Sequence, residues 1–133
     1  ALEPIARQAY EDNDDGFLVV EEIGFCELNQ YVGCSPDGMV GKDGIIEIKC
    51  PMATDFTRYI DTKEISKDYV AQMQFNMFVT GAKWCDFIVY HPDFGEHALQ
   101  VTRIYKDEKM HEKFTAKLEI FKSEVVRLLS KFK

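Results

Sequence analysis

The sequence has no run of about 18 or more apolar residues, so no stretch of it reads as a membrane-spanning helix. Its opening segment, ALEPIARQAYEDNDDG, carries acids and a proline where a secretory leader would place a basic stretch followed by an apolar one. An intracellular, cytoplasmic location is the expectation that follows. Cysteine is sparse and badly spaced for metal: Cys26, Cys34, Cys50 and Cys85 include no C-x2-C pair, which argues against a zinc or iron–sulfur site. Free, mostly buried thiols in a reducing compartment are expected instead. His91, His97 and His111 form neither HxH nor HExxH spacing and read as ordinary surface or loop residues. Repeats, low-complexity tracts and linkers are also missing, so residues 1–133 are expected to form a single domain. With 133 residues, of which 46% are hydrophobic, it has enough apolar material for a core.

Positive charge is the remaining shortage. The net charge of −7 would ordinarily discourage a polyanionic partner, because phosphate contacts need Lys and Arg. The deficit is uneven, however. Residues 1–102 hold 7 basic and 18 acidic side chains, whereas residues 103–133 hold 9 and 5. A basic surface for DNA must therefore be local.

The pattern of what is present predicts a helix over Ala1 to Tyr10, with Leu2, Ile5, Ala6 and Ala9 on its apolar side. It enters its first turn with no cap before it, which suggests a truncated parent chain. FLVVEEIGFCEL after Gly16 and a second stretch at about 31–40 read as extended. IIEIKC at 45–50 reads as a strand that stops at Pro51, and GKDG before it is a hairpin signal. Ser66 can cap a helix that runs to Val79 and stops at Gly81, with Val70, Met73, Met77 and Phe78 apolar. Strands follow at about 85–90 and 98–105. A long helix capped by Asp107 starts near Glu108, and its stripe of Met110, Phe114, Leu118, Phe121, Val125, Leu128 and Phe132 is expected to pack as core. Its opposite face is lysine-rich. The order of elements predicts an α/β fold, a central mixed β-sheet flanked by helices.

The hairpin carries the chemistry. A loop centred on Lys42 puts Asp37 opposite Glu47, and their even separation allows both carboxylates on one face of the sheet. Opposed Cβ atoms lie about 4.5–5.5 Å apart, close enough for two carboxylates to share a divalent cation. Lys49, two residues beyond Glu47, projects from the same face, while Ile46 and Ile48 point to the other. Such a set meets the outline requirement for phosphodiester hydrolysis: cations to polarise the phosphate, and a lysine to orient water and offset charge. The same spacing also suits a surface hairpin laced with cross-strand ion pairs.

The wording of the segment is more specific than its spacing. CSPDGMVGKDGIIEIKCP closely resembles the signature of the phage lambda exonuclease family, the YqaJ-like viral recombinases, within the PD-(D/E)xK nuclease superfamily. LEPIAR resembles that family's first helix, YVAQMQFNMFVTG its glutamine-bearing helix, and FIVYHPDF the strand and turn after it, in the same order. The resemblance implies a PD-(D/E)xK restriction-endonuclease-like core. It implies that Asp37 and Glu47 are metal ligands, with the backbone carbonyl of Ile48 a third, and that Lys49 is the catalytic lysine with an electrostatic and water-positioning role. Glu3 would support the metal–water network, or serve only as a first-turn glutamate favoured by the helix dipole. Gln72 would orient water or phosphate, with Gln74 structural, and Ser35 would contact phosphate or merely form a turn.

By the same resemblance the activity would be a Mg2+-dependent (or Mn2+-dependent) deoxyribonuclease using two ions. It would digest linear double-stranded DNA from 5′ ends to leave 3′ overhangs for recombination. Its setting would be a homotrimeric ring that hands the exposed strand to a single-strand annealing protein. The family also has helices ahead of the LEPIAR segment, with an arginine that grips the 5′-phosphate, and these are missing from the given sequence. A fragment of a longer protein or a minimal form is expected. A PD-(D/E)xK endonuclease and a catalytically idle DNA-binding or ring-forming module are the competing readings.

Overall fold

A computed structural model describes residues 2–13, 19–29 and 32–132. Along the chain lie α1 (Glu3–Asp12), β1 (Cys26–Asn29), β2 (Val32–Cys34), β3 (Gly38–Val40) and β4 (Gly44–Lys49). Then come α2 (Ala53–Thr62), α3 (Lys67–Thr80), β5 (Trp84–Tyr90), β6 (Leu99–Tyr105) and α4 (Glu108–Ser130), with a short 3-10 segment at Pro92–His97. Among the described residues, β3, β4, β5 and β6 form one mixed sheet in that order. The pairs β3–β4 and β5–β6 are antiparallel, and β4–β5 is parallel. The expected α/β architecture of a central mixed sheet flanked by helices is the one observed.

The hairpin forms in the anticipated register: Gly38 pairs with Ile46, Met39 with Ile45 and Val40 with Gly44. Two glycines make it possible. Gly41 adopts a left-handed φ of 60° in the turn, and a Cβ on Gly44 would come within 2.2 Å of the Trp84 ring. Alternation along β4 then sorts its side chains between two cores. Ile45 joins Phe56, Tyr59, Met73, Met77, Phe87 and Val89 beneath α2 and α3. Ile46 and Ile48 join Ala6, Tyr10, Val20, Val40 and Ile88 beneath α1. Glu47 and Lys49 alternate in phase with Ile45 and so share the α2–α3 side.

The α1 side contains one buried charge. Asp86 is 2% exposed, directly opposite Arg103 in the ladder, and accepts from its Nε at 2.8 Å and Nη2 at 3.0 Å. Tyr10 Oη donates to Asp86 at 2.6 Å, and the guanidinium lies 3.6 Å over the Trp84 ring. The network ties α1 to two strands and satisfies every oxygen of a carboxylate that burial would otherwise penalise. Burial, followed by the neighbouring Asp86, drives the Tyr10 phenol well above its ordinary range.

Several expectations need correction, among them that of His111, which is buried on α4 against Phe78 and is not a surface or loop residue. FLVVEEIGFCEL is not one strand: Phe17 and Leu18 lie outside the described residues, and Val19 and Val20 are irregular. Glu21 makes an isolated bridge to Met39, and only Cys26–Asn29 is regular. The stretch at 31–40 is split, because Pro36 lacks an amide hydrogen and interrupts the ladder between β2, which pairs with β1, and β3, which pairs with β4. Helix α2 went unread: its first turn has no side-chain cap at Met52, and its apolar face is only Phe56, Tyr59 and Ile60. Finally, the stripe of α4 is core only near its start, where Phe114 meets Phe75 and Phe78 with centroids 5.6 and 5.5 Å away. Farther along, Phe121, Leu128 and Phe132 are 45%, 43% and 85% exposed. A helix of 23 residues outruns the 14 residues of α3, roughly 35 Å against 21 Å, so among the described residues α3 does not reach under its last turns.

The other capping expectations match. Ser66 Oγ accepts from Tyr69 N–H at 3.2 Å, Gly81 closes α3 with φ 78°, and Asp107 Oδ1 accepts from Met110 N–H at 3.1 Å. Gln74 is structural: it donates to the Tyr105 carbonyl and accepts from Asp107 N–H, with His111 Nε2 2.9 Å from its oxygen. No helix among the described residues is long and apolar enough to cross a membrane.

The buried network yields a stability test. Tyr10→Phe should cost about 1–3 kcal/mol, and Asp86→Ala, which removes the shared acceptor of a buried phenol and a partly exposed guanidinium, about 2–4 kcal/mol. Urea unfolding followed by circular dichroism measures both, and the order Asp86→Ala above Tyr10→Phe is required.

Candidate active site

Asp37, Glu47 and Lys49 converge on the backbone of Ile48. Asp37 sits one residue ahead of β3, where its amide donates to the Ile46 carbonyl at 3.3 Å and continues the hairpin ladder. Its Oδ2 accepts from Ile48 N–H at 2.7 Å, so the carboxylate is fixed against the strand segment between Glu47 and Lys49. Lys49 Nζ is 3.3 Å from Glu47 Oε1, with the two side chains 34% and 14% exposed. The hairpin ladder thus extends one residue past β3 and brings Asp37 against the Glu47–Lys49 segment.

The electrostatics are those of a pair of acids short of positive charge. Burial, above all, and then the Asp37 carboxylate push Glu47 above its ordinary value. Lys49 pulls it back down, and Glu3 adds a smaller push. Glu3, at the exposed start of α1, thus contributes to the field at the same place, and it acts on Cys50 as well. Two carboxylates and a peptide carbonyl are hard oxygen donors, and their unrelieved repulsion is what a divalent cation would neutralise; this donor set fits magnesium, which keeps several of its waters. Among the described residues no group of three or more His, Cys, Asp or Glu side chains is arranged to enclose a metal, so any such ion would be open to solvent on its remaining sides.

Two further expected residues, Ser35 and Gln72, are both exposed. Ser35 is exposed in the turn that ends on Asp37. Gln72 lies on α3 one turn beyond Tyr69, is exposed, and donates to Asn76 Oδ1 at 2.9 Å. Beside Lys49 opens a cleft of about 380 Å3 between α2 and α3, whose walls include Arg58, Tyr59, Ser66, Tyr69 and Phe87.

Sequence reasoning missed two neighbours. Arg7 projects from α1 one turn after Glu3; its Nη2 donates to the Asp37 carbonyl at 3.0 Å and its Nη1 to Glu22 at 2.9 Å. The guanidinium braces the turn that presents Asp37, and the signal for it was the i, i+4 pairing of Glu3 with Arg7 in LEPIAR. Tyr69 was the second: Lys49 Nζ lies 4.5 Å from its ring centroid. An aromatic in the first turn of a helix gives no such signal in sequence.

A mixed sheet carrying D-x9-ExK on one hairpin defines a nuclease core of the PD-(D/E)xK type. The pattern of the YqaJ-like viral recombinase domain matches residues 1–83. The structure is similar to an alkaline exonuclease from Laribacter hongkongensis, with a TM-score of 0.74 and 34% identity, covering 99% of this chain and 72% of that one. The same enzyme in complex with dAMP gives a TM-score of 0.73. A phage-related exonuclease from Haemophilus somnus is similar in fold, at 17% identity and a TM-score of 0.65, with coverage of 99% and 70%. No curated protein sequence matches the chain. The chain belongs to the YqaJ-like viral recombinase family, and that membership together with its likeness to a solved alkaline exonuclease supports a nuclease role.

The strain at Glu47 has a measurable sign. Its folded-state value is raised from 4.5, so the native state binds more protons than the unfolded chain just above that pH, and stability is lost as pH rises through the folded value. Glu47→Gln should therefore raise the melting temperature of the metal-free protein at pH 7 by about 1–4 °C, and the gain should vanish below pH 4.5. Calorimetry at the two pH values checks it; an unchanged or lower melting temperature at pH 7 contradicts the account.

Proposed function

We propose that this chain is a Mg2+-dependent exonuclease that digests linear double-stranded DNA from 5′ ends and leaves 3′ single-stranded overhangs for recombination. The observation that carries the reading is the convergence of Asp37, Glu47 and Lys49 on one strand segment, with Asp37 pinned to Ile48 N–H at 2.7 Å. Membership of a family with alkaline exonucleases among its relatives supports it.

In this reading Asp37, Glu47 and the Ile48 carbonyl hold magnesium, or manganese in its place, with two ions at the site. Bound there, the metal supplies Lewis-acid polarisation of the phosphate and favours ionisation of the attacking water. Lys49 orients that water and offsets the charge that develops on the phosphorane. Ser35, exposed beside Asp37, donates to a phosphate oxygen, and Gln72 releases Asn76 to orient water or phosphate. Glu3 receives a hydrogen bond from the outer water network. Arg7 keeps the Asp37 turn in place while charge shifts around it.

The setting proposed is a cytosolic, single-domain nuclease unit of a homotrimeric ring around the DNA, with an annealing protein receiving the exposed strand. The apolar last turns of α4 offer surface that self-association could cover.

Linear duplexes labelled at either end, with and without a 5′-phosphate, test the reading directly. In magnesium, label at the 5′ ends should be released first and closed circular DNA should survive. Asp37→Ala and Lys49→Ala should each lower the rate by at least about 100-fold with circular dichroism unchanged. Cutting of circular DNA would make the chain an endonuclease, and DNA binding without cleavage in magnesium or manganese would make it an idle module.

A further inference from the structure

We infer that Tyr69 is a positioning residue for Lys49: the face of its ring holds the lysine ammonium at the site through a cation–π contact. The inference rests on the nuclease reading for its consequence, but its geometry stands without it. Lys49 Nζ lies between two partners, Glu47 Oε1 at 3.3 Å and the Tyr69 ring centroid at 4.5 Å. The second distance is well inside the roughly 6 Å within which a ring quadrupole attracts a cation.

The two partners are not equivalent. Glu47 is one of the carboxylates that a divalent cation would occupy, and the field of that cation would push the ammonium away. The Tyr69 ring cannot ligate a hard metal, so it remains available to the lysine in every state of the site. A flexible four-carbon stem with a single acidic partner would otherwise spread its ammonium over many rotamers.

The fold fixes the ring for this purpose. Tyr69 is the third residue of α3, and its amide hydrogen is held by the Ser66 cap at 3.2 Å, which sets the direction of the first turn. One side of the ring is steadied by Phe87, with centroids 6.0 Å apart. Yet Tyr69 is 43% exposed, so it is not a core aromatic; it stands at the rim of the α2–α3 cleft, over the lysine.

Replacing Tyr69 by Phe, and then by mono-, tri- and pentafluorinated phenylalanine, keeps the ring's shape while progressively weakening its attraction for a cation. Tyr69→Phe should retain near-native single-turnover rates in magnesium. The fully fluorinated ring should lower kcat by about 3-fold to 30-fold with KM for DNA and melting temperature unchanged. In a Lys49→Ala background the same series should be flat. A readout free of catalysis accompanies it: in lysine-labelled, metal-free protein, the Lys49 ε-methylene protons should be shifted upfield by the ring current. That shift should survive addition of magnesium alone and disappear in Tyr69→Leu. A rate independent of fluorination, or an ε-methylene unshifted in the wild type, would overturn the inference. If the wild type shows the upfield shift but releases no nucleotides in magnesium or manganese, the nuclease reading fails while the contact stands.

Discussion

The hydrogen bond from Ile48 N–H to Asp37 Oδ2 is where fold and site meet. It exists only because β3 and β4 pair in one register, and that register depends on a left-handed glycine at 41 and on the absence of a Cβ at 44. A slip by one residue would send Glu47 and Lys49 to the α1 side and bring Ile46 and Ile48 to the cleft side, exchanging a charged surface with a buried one. Both hydrophobic cores oppose that slip, since β4 contributes Ile45 to one and Ile46 and Ile48 to the other. The packing that stabilises the domain is therefore the same packing that aims the acids.

The acids themselves work against stability. Glu47 is held beside Asp37 in a poorly hydrated position, and its upward shift records the cost. On the opposite side of the sheet the logic is reversed: Asp86 is buried more deeply but has a bidentate arginine and a phenol around it. Glu47 and Asp86, on neighbouring strands, thus have opposite standing. Asp86 accepts three hydrogen bonds from Tyr10 and Arg103 and is 2% exposed, whereas Asp37 spends one oxygen on a backbone amide and Glu47 has a single lysine. Burial alone would have pointed to Asp86; the count of satisfied oxygens points to the hairpin.

This contrast explains what the sequence could and could not disclose. The hairpin was legible because turn chemistry and period-two alternation are local, and they place Asp37, Glu47 and Lys49 without knowledge of the rest. The ends of α3 and the start of α4 were legible through Ser66, Gly81 and Asp107 for the same reason. Helix α2 was not, since its stability comes from Phe56 and Tyr59 packing under β5 and not from its caps. The exposed end of α4 was misread because a stripe at helical spacing says that a face is apolar, not that anything lies against it. Arg7 and Tyr69 act across gaps of 30 and 20 positions, on Asp37 and Lys49 respectively, and only the assembled sheet brings them there.

The charge of −7 takes on a different meaning in this light. Spread over a surface, it would oppose a polyanion at long range. Part of it, however, is concentrated where Asp37 and Glu3 act on Glu47, and a divalent cation there would reverse the sign of the field that an approaching phosphate meets. Lysine at position 49 cannot supply that reversal alone, because its charge is already matched by Glu47. In the proposed reading the excess of acid over base at the centre is what a cation would offset, and the repulsion that raises Glu47 is the force that would draw the cation in.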